Sequence, residues 1–183
     1  MGRRAAALSD RLRAVFTFDR IFILLLALTV FVRFYQLDLK LFHHDEAIHS
    51  WFSYRLLHEG IWTYDPSYHG PLLYYVTAGM FGVFGDSDLV ARIVPSLLGT
   101  LIVALIYPLY RMGYLDRRQT LVGALFLALS PDMVYFSRFL RQDIFMLFFI
   151  MLLLVTLLAF VAFMLLLLLM PPLAQEMREK KAA

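Results

Sequence analysis

The chain has 183 residues, of which 61% are hydrophobic, 17% are charged and none is cysteine. Soluble domains are about 45–50% apolar and about 25% charged, and a domain of this size leaves much of its surface in water. A soluble fold, a disordered tail, a disulfide scaffold and a thiolate metal site are therefore excluded, and the chain reads as an all-α integral membrane protein. The net charge of +3 does not point to nucleic acid, because the basic residues gather at the ends of apolar runs and form no patch with aromatics between them.

Residues 1–20 form a basic N-terminus with Arg3, Arg4, Arg11, Arg13 and Arg20. The first apolar run, Ile21–Leu37, is interrupted near its far end by Arg33 and has no small-residue cleavage site, so it reads as an uncleaved span. Further runs follow at Leu89–Tyr110, Thr120–Phe136 and Ile144–Met170, the second marginal in length and the third overlong. Pro71–Phe84 would reach only about 21 Å as a helix, against a hydrocarbon core of about 30 Å.

The charges decide whether Pro71–Phe84 crosses. If it does not, the N-terminus, the 111–119 loop and a charged tail at 171–183 share the cytoplasmic side. That side then carries +6 and the outer side −3. The excess of Lys and Arg inside favours four spans (21–37, 89–110, 120–136 and 144–170) with both termini cytoplasmic. Residues 38–88 become a large outer loop in which Pro71–Phe84 is re-entrant or interfacial. Its glycines Gly79, Gly82 and Gly85 suit packing against protein.

This topology puts the two densest polar clusters, His43–Glu46 and Ser137–Asp143, on the outer face. A helix is predicted from Asp45 to about Glu59, with Gly60 as its C-terminal cap. Asp45 is either the helix N-cap or a general base whose pKa is raised near apolar surroundings, and Glu46 either favours the positive helix end or shares the catalytic role. His44, Asp45 and His49 are weak candidates for a divalent metal, since Asp45 and His49 are four apart on one helix face. Trp51, Phe52, Tyr54, Trp62, Tyr64, Tyr68, Tyr74 and Tyr75 form an interfacial belt, or line a groove for a sugar or an isoprenoid chain.

Arg138 and Arg141 are three apart and would share a helical face, where guanidinium forks suit phosphate oxygens. Lipid headgroups, or Asp143, are the competing partners. Asp143 opens the last apolar run and is a functional candidate or a helix cap. Asp86-Ser87-Asp88 reads as a helix start, with Asp88 able to pair with Arg92 at i, i+4.

The order of these features resembles the N-terminal part of the GT-C membrane glycosyltransferases, which include the dolichyl-phosphate-mannose protein mannosyltransferases and the bacterial aminoarabinose transferases of lipid A. The matching segments are HHDEAIHSWFSYRLLHEG, YHGPLLYYVTAGMFGVFG, DLVARIVPSLLGT and SRFLRQD, in order between Asp38 and Met151. The nearest branch is the prokaryotic flippase-associated one. The resemblance implies juxtamembrane helices in the first outer loop and a prokaryotic plasma-membrane location. The implied reaction is an inverting transfer of a sugar from a polyprenyl-phosphate donor to an acceptor hydroxyl. Asp45 or Glu46 would activate the acceptor, and Asp143 would be the second essential acid. Arg138 or Arg141 would bind the phosphate, with Tyr68, His69 and Arg92 as further substrate-binding candidates. The implied partners are the donor, membrane lipid and another membrane subunit, with no certain cofactor. Members of the family are several times longer, so the resemblance also implies an N-terminal module. The competing reading is a non-catalytic accessory protein or an inactive remnant.

Overall fold

In the computed structural model the described residues are 17–60 and 70–182, with side chains described as far as residue 170. Among them the chain is helical and has no strand. The helices are α1 (Phe18–Phe34), α2 (His44–Glu59), α3 (Leu72–Phe84), α4 (Asp88–Ala104), α5 (Ile106–Arg111), α6 (Arg117–Leu129), α7 (Pro131–Ser137) and α8 (Gln142–Ala182).

Most helix ends have a local chemical cause. The N-cap of α2 is His43, whose ring accepts from the Asp45 N–H while the Glu46 carboxylate accepts from the His43 N–H. Asp45 is therefore inside the helix and not its cap; Glu46 completes the reciprocal capping box. Gly60 ends α2 at φ +65°, a left-handed conformation that favours glycine. Ser87 caps α4 through the Val90 N–H, and Asp116 caps α6 in a box with Gln119. Ser130 and Pro131 break the run predicted at 120–136 into α6 and α7, bent by 58°; proline suits the first position of the new helix, where its missing N–H costs nothing.

α4 sits at the centre, packed by α1, α3, α6, α7 and α8, while α3 also lies along α2. The face that α3 buries carries Leu73, Tyr74, Thr77, Ala78 and Phe81. The glycines do not make that contact: a Cβ at Gly79 or Gly85 would enter open space, and one at Gly82 would stand in ordinary contact with the Leu57 side chain, 3.4 Å away. One core joins Leu73, Phe81, Val90, Ala91, Leu140, Ile144 and Phe145. A second joins Phe22, Val103, Ile106, Ala124 and Ala128.

Among the described residues two helices are long and apolar enough to cross a membrane, Asp88–Arg111 and Gln142–Met170, and a third crossing is available if the bent α6–α7 pair counts as one. At 17 residues α1 rises about 26 Å, just short of the hydrocarbon thickness. Only 6% of the apolar window of Gln142–Met170 is buried within the protein, against 56% for Asp88–Arg111. Leu153–Met170 thus presents apolar surface on nearly all sides, as a helix solvated by lipid does. Backbone helix continues without a break into the segment 171–182 expected as a separate tail.

Candidate active site

The polar groups around the start of α2 divide into two structures. The first is a buried clasp. Arg92, on α4, forks onto Glu46, on α2, with Nε–Oε1 and Nη2–Oε2 both 2.8 Å. Glu46 also accepts from the backbone N–H of Leu140 (3.0 Å) and of His43 (3.1 Å). Arg92 Nη1 donates to the carbonyls of Leu37 and Lys40, and its guanidinium lies over the Phe42 ring at 4.9 Å. Both side chains are only 3% exposed. Burial pushes the Glu46 carboxyl up, but the Arg92 hydrogen bond, the Leu140 and His43 N–H groups and the Arg92 charge outweigh it and hold it below the ordinary glutamate value. Arg92 thus pairs across the fold and not with Asp88, its neighbour one helical turn away.

The second structure is open to solvent. Arg141 Nη1 lies 3.4 Å from Asp45 Oδ2, and Arg141 Nε lies 3.2 Å from Asp143 Oδ2. Each of these side chains is more than a third exposed. One guanidinium therefore bridges two carboxylates contributed by α2 and by the start of α8. Asp45 and Glu46 are adjacent in sequence but point to different structures, because successive helical positions turn by about 100°.

Arg138 and Arg141 do not share a helical face. Residues 138–141 form an irregular link between α7 and α8, and its two arginines diverge. Arg138 donates from Nη1 to Val32 O and from Nη2 to Gln36 O, both at 3.0 Å, at the end of α1. Tyr68 and His69 lie outside the described residues. The metal candidates do not assemble: His49 is buried with Nδ1 2.9 Å from the Tyr74 hydroxyl, Asp45 engages Arg141, and among the described residues no three His, Asp or Glu side chains converge.

A third polar feature escaped the reading of the sequence. Arg33, fully buried near the end of α1, donates from Nε to Ser137 Oγ (3.1 Å) and from Nη2 to Leu127 O (3.1 Å). Ser137 Oγ in turn donates to the Met133 carbonyl, and Ser96 Oγ donates to Ser137 O at 3.0 Å. Gly99 faces this knot, where a Cβ would stand 2.6 Å from Ser137 Cβ and 2.9 Å from Arg33 Nε. The signal was a single arginine inside an apolar run, which a bilayer tolerates only when it is partnered.

A cavity of about 660 Å³, lined by Gln142 but by none of the three bridge residues, opens between the start of α3 and the first turns of α8. Pro71, Leu73, Phe145, Met146 and Phe149 make it apolar, and Gln142 is the polar residue of its lining; the Gln142 Oε1 is buried, without a hydrogen-bond partner among the described residues.

The family described as dolichyl-phosphate-mannose-protein mannosyltransferase matches residues 68–174, more than half of the chain. The match includes Arg92, Arg138, Arg141, Gln142 and Asp143, while Asp45 and Glu46 precede it. No curated protein and no solved structure matches. On the extent of that match, and with apolar helices able to cross a bilayer, this chain is a membrane protein of glycosyltransferase type and belongs to the dolichyl-phosphate-mannose-protein mannosyltransferase family.

Proposed function

We propose that the Asp45–Arg141–Asp143 bridge is the reaction centre for transfer of a sugar from a polyprenyl-phosphate donor to an acceptor hydroxyl at the outer membrane face. The observation that carries this reading is the single arginine held between two solvent-accessible carboxylates from separate elements. Asp45 accepts the proton of the acceptor hydroxyl, whose oxygen then attacks the anomeric carbon. The bond from that carbon to the phosphate oxygen breaks, and polyprenyl phosphate leaves with the bonding pair. Arg141 neutralises the leaving phosphate, and Asp143 holds the guanidinium in place before the donor arrives.

Glu46 is a positioning residue in this scheme, because all its lone pairs are already filled. The apolar cavity lined by Phe145, Met146 and Phe149 takes the first isoprenoid units. Four spans with cytoplasmic termini put this centre on the outer side, consistent with the excess of basic residues at the N-terminus, the 111–119 loop and the tail.

The test is donor-dependent transfer by the full chain purified into lipid, using a polyprenyl-phosphate sugar. Asp45→Asn is expected to lower the rate by about 10²–10⁴-fold, the usual worth of a positioned general base. Asp143→Asn is expected to weaken donor binding and turnover together. Unchanged transfer in both variants overturns the assignment.

A further inference from the structure

A second cavity, of about 610 Å³, lies on the other side of the Glu46–Arg92 clasp. Its walls include Tyr35, Gln36, Lys40, Tyr135 and Arg138, and its lining includes none of Asp45, Arg141 and Asp143. The charges of this cavity are unbalanced. Glu46 is the only acid in the lining, and Arg92 already neutralises it. Lys40 and Arg138 remain as two cations, and neither makes an ion pair among the described residues.

Arg138 is held rigidly. Two of its nitrogens are spent on the carbonyls of Val32 and Gln36, which orient the guanidinium without cancelling its charge. Gln36 takes a left-handed φ of +48°, which is costly for a residue with a Cβ, and its carbonyl is one of those two acceptors. Backbone strain kept beside a cavity is a pointer to function. The rim is apolar and exposed: Tyr35, Leu39, Leu129 and Tyr135 line the cavity, and Leu41 adjoins it. Tyrosines beside aliphatic side chains at the end of a span mark the headgroup level of a bilayer.

We infer that this cavity binds an anionic glycerophospholipid, its phosphate between Lys40 and Arg138 and its acyl chains over the Leu39 and Leu129 rim. A net charge of +2 facing an interface selects against lipids whose phosphate is balanced by a choline. The site differs from the proposed reaction centre in its walls and in its charge, so it stands whether or not that centre transfers sugar.

The experiment is native mass spectrometry of the full chain released from micelles containing phosphatidylglycerol or phosphatidylcholine of the same acyl chains. Phosphatidylglycerol is expected to be retained preferentially. Lys40→Ala is expected to reduce that preference about fivefold, and Lys40→Glu about thirtyfold, on the usual worth of one basic residue near an anionic surface. Lys40 is exposed, its side chain makes no ion pair among the described residues, and the contact it gives to Arg92 is through its backbone carbonyl, so both variants are expected to retain the fold. Asp45→Asn is expected to leave retention unchanged. Equal retention of the two lipids, or no response to Lys40→Glu, overturns the inference. Loss of the lipid in Asp45→Asn would move it to the other cavity, and displacement by millimolar inorganic phosphate would make the site one for free anions; either result overturns it too.

Discussion

Glu46→Gln is the smallest change that tests the buried clasp, since it keeps the shape and removes the charge. The carboxylate receives four donors: Arg92 Nε and the Leu140 N–H on Oε1, and Arg92 Nη2 and the His43 N–H on Oε2. An ionised carboxylate has about four lone-pair positions and no hydrogen, so all four donors are satisfied. A glutamine has one acceptor oxygen and an NH₂ group with two donors. Whichever way the amide is turned, its NH₂ faces an arginine N–H and a backbone N–H.

Breaking a buried ion pair by removing one partner typically costs about 3–5 kcal/mol. The two donor–donor conflicts put Glu46→Gln within that range. Against a usual total of about 5–15 kcal/mol the loss is severe. Arg92→Leu is expected to cost at least as much, because it leaves a carboxylate and the carbonyls of Leu37 and Lys40 without their donor. Reversible unfolding of the full chain by sodium dodecyl sulfate in mixed micelles reads both losses. The double variant is expected to cost clearly less than the sum of the single ones. A Glu46→Gln loss under about 1 kcal/mol, or strict additivity with Arg92→Leu, would refute the reasoning.

The same clasp sets a pH dependence. The folded Glu46 pKa is depressed, so below the unfolded value, about 4.3, the unfolded chain takes up its proton first and binds more protons than the folded one. The Glu46 contribution is therefore fully present above about pH 4.3 and declines as the pH falls toward the folded value. The wild type is expected to lose stability over that acid window relative to Glu46→Gln, and parallel curves for the two proteins would contradict it. Gly99→Ala is expected to destabilise by about 1–3 kcal/mol, the usual cost of overpacking, since Ser137 and Arg33 are fully buried where the new methyl would enter. In the same unfolding assay an unchanged midpoint would count against that packing. Gln36→Gly is expected to stabilise by up to about 1 kcal/mol by relieving the left-handed backbone; a clear loss of stability would mean that the Gln36 side chain supports the fold.

The parts of the fold visible in the sequence are those fixed by neighbours along the chain. The end of α2 at Gly60, the start of α4 at Ser87 and the separation of α3 from the long spans follow from turn chemistry and run length. The break at Ser130–Pro131 was also local, marked by Ser130, Pro131 and Asp132 inside the run, but the apolar residues on both sides let the segment read as one span, because hydropathy averaged over a window does not register a proline that begins a new helix. The candidate site was legible in outline: Asp45, Arg141 and Asp143 come together as a cluster of acids and arginine at one face should. The division of labour within it was not. Arg92 meets Glu46 across 46 positions, and Arg33 meets Ser137 across 104. Spacing arguments see only partners three or four residues apart, so they pair Arg92 with Asp88 and set Arg138 beside Arg141.

The buried pair and the exposed bridge are mechanically one device. Glu46 fixes the first turn of α2 by closing the capping box with His43, and it fixes the 138–141 link by accepting from the Leu140 N–H. Asp45 precedes the first of these anchors and Arg141 follows the second, each by one residue. Their approach is therefore held by backbone groups on either side and not by the exposed ion pair, which in high dielectric is worth little. A weak bridge on a rigid frame suits the proposed reaction, in which the arginine exchanges a carboxylate for a phosphate: the geometry is retained when the pair opens, and opening it costs little. Strengthening the bridge would work against that exchange, whereas loosening the clasp would separate the two groups before any substrate arrived.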